Sequence, residues 1–256
     1  MIKKITKKIA RSFGFEIRKI KNISNGLPKQ AITTVIPPSP DTMLSGLQRC
    51  SQREFFPNTV IDIGAAQGTW THQAMQVWPK SNYILFEPLE ERKEELSALA
   101  SRHTNISIVH SGAGKEKTTV SFYVAEDLDG SGVAHNRTEE ECRTIDVTTV
   151  DDEIARLQLP GPYLLKLDTH GYEVPIFEGA SDTLKQTEVI VVECYGFQIA
   201  QNSLLFWEMC QYLDEKGFRL IDIVDTMRRE KDHAFWQCDA FFIPKTSKVF
   251  TKNTYK

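Results

Sequence analysis

The chain has 256 residues, 41% of them hydrophobic and 25% charged, with a net charge of −3 at pH 7, enough for one sizeable domain with an appendage. No apolar run approaches the ~20 residues of a membrane-spanning helix, and so small a total charge argues against a whole-surface nucleic-acid binder. Five scattered cysteines (Cys50, Cys142, Cys194, Cys210 and Cys238) form no C-x-x-C pair, which disfavours a zinc framework or disulfide scaffold and fits a reducing cytoplasm.

Residues 1–21 carry eight cations against a single acid, Glu16. At ~100° per residue, Ile2, Ile5, Ile9 and Phe13 share one helical face, and Lys3, Lys4, Lys7, Lys8 and Arg11 lie opposite. This pattern predicts a basic amphipathic helix, a candidate peripheral membrane contact; docking on the chain's own domain or on a partner would satisfy the same apolar face. Pro28, Pro37, Pro38 and Pro40 mark a connector to residue 41. The folded domain is expected over 42–246, followed by a polar tail, 247–256.

Within the domain, apolar runs alternate with helical patterns, the signature of stacked βαβ units and a mainly parallel sheet. Strands are expected at 59–63, 83–87, 106–110, 163–168 and 189–194, and helices near 69–78, 89–102, 173–185 and 203–216. Segments 218–225 and 236–243 have no long helix between them and predict an antiparallel hairpin at one edge. Val120, Phe122 and Val124 form a further apolar alternation, followed by a polar loop around 127–137.

The sharpest motif is Asp62-Ile63-Gly64-Ala65-Ala66-Gln67-Gly68, directly after an apolar strand and before a helical segment. Ligands of open parallel sheets bind outside the carboxyl ends of strands, where glycines let the backbone turn tightly and approach them. The dinucleotide pattern G-x-G-x-x-G spans one residue more than Gly64 to Gly68; the shorter spacing is the one methyltransferases use for S-adenosylmethionine. Glu87 ends the second strand, where a carboxylate can accept both hydroxyl protons of a ribose. Ser111 and Gly112 open a small-residue turn that reads equally as an adenine platform or an ordinary glycine turn. Asp168 ends the fourth strand and His170 stands in the loop above it, with Glu193 and Tyr195 on the neighbouring strand. Charged groups flanking a buried strand are costly unless they are paired or used. Asp168 therefore counts as a candidate for both cofactor binding and catalysis. His170 is a candidate base, or a loop residue that orients its neighbours. No metal is expected, with a cation at Asp168, His170 and Glu193 as the alternative.

In order and spacing, VIDIGAAQGTWT, LFEP, VHSGAG, TTVDDEI, LLKLDTHGYEVPIFEGA and VVECY resemble the FkbM family of S-adenosylmethionine-dependent methyltransferases, over about residues 58–195. The resemblance implies an α/β class I methyltransferase (Rossmann-like) fold, with a seven-stranded, mostly parallel sheet whose last strand is antiparallel. It further implies S-adenosyl-L-methionine as cofactor, contacts to it at Gly64, Ala65, Gly68 and Glu87, and O-methylation of a small-molecule or glycan hydroxyl. Two positions depart from the family's habit: Ala66 stands where Asn is frequent, and His170 where Glu is. The competing possibilities are a nicotinamide-dependent oxidoreductase and a non-catalytic module of the same fold.

Overall fold

The computed structural model describes residues 41–134 and 142–255; the basic stretch 1–21 and the connector lie outside them. In chain order the strands are β1 (Thr59–Ile63), β2 (Asn82–Phe86), β3 (Ile106–Val109), β4 (Gly112–Ala113), β5 (Thr118–Tyr123), β6 (Gly132–Val133), β7 (Cys142–Thr148), β8 (Tyr163–Leu167), β9 (Thr187–Tyr195), β10 (Phe218–Arg228) and β11 (Phe235–Pro244). The α-helices are α1 (Met43–Gln52), α2 (Thr69–Val77), α3 (Lys93–Arg102), α4 (Val150–Leu157), α5 (Glu173–Glu178), α6 (Ser181–Leu184) and α7 (Phe206–Glu215).

The main sheet has seven strands in the order β10-β11-β9-β8-β1-β2-β3. Pairs β9-β8, β8-β1, β1-β2 and β2-β3 are parallel, whereas β11 runs antiparallel to both β9 and β10. This is the expected seven-stranded, mostly parallel sheet with an antiparallel last strand. The last strand, however, is not the edge: β11 inserts between β9 and β10. Every residue of β1 and β8 is buried, as a parallel sheet covered on both faces requires. Side chains alternate between two cores. Ile61, Phe86, Leu165 and Val192 pack with α4, α5 and α7, while Val60, Leu85, Leu164 and Val191 pack with α1, α2 and α3.

Two helices come without a sequence expectation. Thr42 caps α1, its side chain accepting from Ser45 N, and only Met43, Leu47 and Cys50 form its apolar stripe. Thr149 caps α4 in the same manner, and Asp151, Asp152 and Glu153 fill its first turn, favoured by the helix dipole. The single helix expected over 173–185 is two short ones. They break at Gly179, whose position leaves no room for a side chain: a Cβ there would lie 1.9 Å from the carbonyl oxygen of Gly114.

The second sheet, β4-β7-β5-β6, extends the apolar alternation read at Val120 and Phe122. Its partner β7 escaped the sequence because Cys-Arg-Thr-Ile-Asp-Val-Thr holds no apolar run. Of the tail, Phe250 packs against the core beneath Arg219, whose guanidinium lies 4.5 Å from its ring centre. No helix among the described residues is long and apolar enough to cross a membrane.

Candidate active site

The parallel strands β1, β2, β8 and β9 end at one edge of the sheet, so the residues following them converge by register alone. After β1 the chain turns through left-handed Gly64 (φ 73°), Ala66 (φ 46°) and Gly68 (φ 84°). A Cβ on Gly64 would come within 2.1 Å of the carbonyl oxygen of Asp168, so the turn lies flat against the end of β8. Asp62 is fully buried beneath it. Its carboxylate meets Lys166 Nζ at 3.0 Å and accepts from Thr71 Oγ1 at 2.6 Å, while Lys166 Nζ also donates to Gly64 O at 2.8 Å. Burial pulls the Lys166 ammonium down, but Asp62 and Asp168 more than offset this and raise it. Asp62 thus braces the turn from below.

Glu87 is 6% exposed. One carboxylate oxygen accepts from Ala66 N and the other from Leu89 N, each at 2.9 Å. Burial raises its pKa, and the two backbone donors oppose the rise. A carboxylate fixed by one donor per oxygen retains acceptor capacity on both, and this one borders a cavity of about 320 Å³.

Of the sequence candidates, Gly64, Glu87, Gly112, Asp168 and His170 line this cavity. Asp62, Ala65, Gly68 and Ser111 do not. Ala65 is in the core, Gly68 heads α2 against Leu99, and the buried Ser111 hydroxyl has no hydrogen-bond partner among the described residues. The sequence did not point to the opposite wall, where Val120, Phe122, Ile145 and Val147 of the second sheet and Leu128 of the following loop supply an apolar roof. Its signal was the alternation along β5. Arg92 ties this roof to the turn after β1, donating to Gln67 Oε1 at 2.7 Å and to Asp129 Oδ1 at 2.5 Å.

At the cavity mouth His170 (φ 52°) and Gly171 (φ 104°) form a left-handed pair, pinned by buried Glu173, which accepts from Gly171 N at 2.9 Å and Thr169 Oγ1 at 3.1 Å. His170 Nδ1 lies 2.9 Å from Ser131 O; a carbonyl only accepts, so Nδ1 carries the hydrogen and a neutral ring presents Nε2 as a base. Nε2 faces Asp168 Oδ1 at 3.5 Å and Glu193 Oε2 at 3.6 Å. Tyr195 Oη and Gln237 Nε2 donate to the two Glu193 oxygens. Burial, then the Asp168 charge, pushes Glu193 up to about 9, and the same causes push Asp239, its partner across the β11-β9 ladder, up to about 7. Beyond His170 a second cleft of about 280 Å³ opens, with Tyr195, Trp236 and Gln237 in its walls.

A parallel sheet with a turn of this spacing after β1, an acid after β2 and an antiparallel β11 inserted beside β9 defines the class I methyltransferase fold; a dinucleotide-binding oxidoreductase sheet continues with parallel strands instead. The sequence pattern described as the methyltransferase FkbM domain matches residues 62–220, and the chain belongs to that family. Among curated proteins no match is found. Solved structures similar to it include a methyltransferase FkbM from Methylobacillus flagellatus (16% identity, 72% of this chain and 43% of that one, TM-score 0.47). Also similar are a Methanococcus jannaschii fibrillarin pre-rRNA processing protein (16%, 73% and 66%, 0.47) and an Aeropyrum pernix fibrillarin with natively bound S-adenosyl-L-methionine (11%, 72% and 66%, 0.43). The chain thus spans less than half of the M. flagellatus protein's length.

Proposed function

We propose that the chain binds S-adenosyl-L-methionine in the 320 Å³ cavity and methylates a hydroxyl of a sugar, glycan or other small metabolite entering from the second cleft. The observation that carries this is the Glu87 carboxylate, buried, pinned by Ala66 N and Leu89 N, and facing an apolar cavity. Such a group suits two neighbouring ribose hydroxyls, and the walls formed by Phe122, Ile145 and Val147 suit a flat base.

The cofactor supplies an electrophilic sulfonium methyl. As the C–S bond breaks and the C–O bond forms, a neutral thioether leaves and one hydroxyl proton must be taken up. The chain's task is to aim the hydroxyl and accept that proton. His170 lines both spaces and Asp168 the first, and these are the residues proposed to do so. The apolar roof excludes water from the reacting centre.

The test is calorimetric titration with S-adenosylhomocysteine, followed by incubation with labelled S-adenosylmethionine and a panel of glycans and hydroxylated metabolites. Glu87→Ala is expected to weaken binding by about 1–3 kcal/mol, the scale for a lost charged hydrogen-bond partner. An unchanged affinity removes Glu87 from the site.

A further inference from the structure

The separations around His170 Nε2 are unsuited to hydrogen bonding. At 3.5 Å from Asp168 Oδ1 and 3.6 Å from Glu193 Oε2, both contacts exceed the ~2.7–3.2 Å of a good N–H···O bond, and a single ring hydrogen could not serve both oxygens. Donor atoms placed ~2.1 Å from a common centre at roughly tetrahedral angles lie ~3.4 Å apart, close to what is found. All three ligand atoms lie within 4.8 Å of one another.

Two of the three donors, His170 and Glu193, are held by neighbouring groups. The Ser131 carbonyl holds the His170 Nδ1 hydrogen and so leaves the Nε2 lone pair directed at the two carboxylates. Tyr195 and Gln237 orient Glu193 through its two oxygens. Hydrogen bonds of this kind, to the second nitrogen of an imidazole or to the oxygens of a carboxylate, are what fix metal ligands in place. Charge points the same way. Asp168, Glu193 and Asp239 gather near one cation, Lys166, whose nearest carboxylate is Asp62 at 3.0 Å, with Asp168 farther off at 3.7 Å.

We propose that Asp168, His170 and Glu193, all three on the wall of the first cavity, form a site for one first-row divalent cation. One imidazole and two carboxylates suit Mn²⁺, Fe²⁺ or Zn²⁺ better than a soft ion. In the methyl-transfer reading, on which only this last role rests, the cation holds the acceptor oxygen at the cavity mouth. His170 Nε2 and Asp168 Oδ1 are then ligands, and proton uptake falls to the other Asp168 oxygen or to solvent.

The experiment uses the full chain, stripped with a chelator and titrated with Mn²⁺ alone, free Mn²⁺ being followed by electron paramagnetic resonance. One Mn²⁺ per chain is expected. Glu193→Gln and His170→Asn should each weaken it by at least about tenfold, the lower end of what is lost even when only the groups behind the ligands are changed. Thermal melting and circular dichroism of each variant, measured in parallel, report that the fold is intact. Failure of the wild-type chain to take up Mn²⁺ below millimolar concentration overturns the cation site, as does undiminished uptake by a folded Glu193→Gln variant. Mn²⁺ uptake with no binding of S-adenosylhomocysteine would leave the cation site standing and remove the methyltransferase proposal instead.

Discussion

Gly64 shapes the turn after β1 and Glu87, after β2, accepts from Ala66 of that turn; two experiments separate their contributions. Because burial raises the Glu87 carboxyl above its ordinary 4.5, protonation should begin to compete with ribose binding at a higher pH than for an exposed glutamate. Affinity for S-adenosylhomocysteine is therefore expected to be full where Glu87 is ionised and to fall as pH drops through that raised value. Calorimetry across a pH series should show this fall in the wild type and a flat profile in Glu87→Gln. Gly64 has a conformational and a steric requirement, whereas Gly217 (φ 92°), where a Cβ would meet nothing within 4 Å, has only the first. Gly217→Ala should cost about 1–2 kcal/mol in denaturant melts, and Gly64→Ala distinctly more, with loss of cofactor binding. Equal costs would mean that the contact with Asp168 is relaxed easily. Gly64 and Glu87 were legible because a short motif follows each strand. Asp168, His170 and Glu193 were legible because parallel neighbours end at the same mouth. The position of Asp62 beneath the turn was not, since its place depends on Lys166, a residue 104 positions away on the adjacent strand.

The elements that the sequence revealed are those whose burial is continuous. β1, β8 and the core of β9 read as apolar runs because helices cover both faces. The second sheet was half hidden: β5 alternates visibly, but β7 carries Arg143 and Thr144 before its inward Ile145, and Asp146 between Ile145 and Val147. That roof is held over the cavity by two ion pairs of unlike exposure. Arg92, with its side chain 10% exposed, joins Asp129, and Arg143, 54% exposed, joins Glu91. Arg92→Ala should speed release of S-adenosylhomocysteine roughly tenfold, for a lost charged hydrogen bond of about 1.5 kcal/mol. Arg143→Ala should change it less than about threefold, because exposed pairs contribute little. Stopped-flow displacement checks both, and equal effects would remove Arg92 as the tie. For residues 1–21, membrane docking predicts co-flotation of the chain with anionic liposomes, weakened by salt and abolished by their deletion. Absence of flotation at low salt assigns the stretch to a protein contact.

At the scale of the molecule, the class I strand order follows from alternating βα units and a closing hairpin, and only the inward placement of β11 went beyond the pattern. Local periodicity sets which segments become strands, but which of two hairpin strands pairs with β9 is decided by packing. Phe241 and Phe242 of β11 are fully buried on opposite faces, whereas β10 exposes Met227 and much of its length. The strand able to bury both faces takes the inner position. Whether this sheet and its roof enclose a site for S-adenosylmethionine is tested by titrating the full chain with S-adenosylhomocysteine beside a titration with NAD. One S-adenosylhomocysteine bound per chain and no NAD is expected; a flat S-adenosylhomocysteine titration, or saturable binding of NAD, would overturn the proposed site.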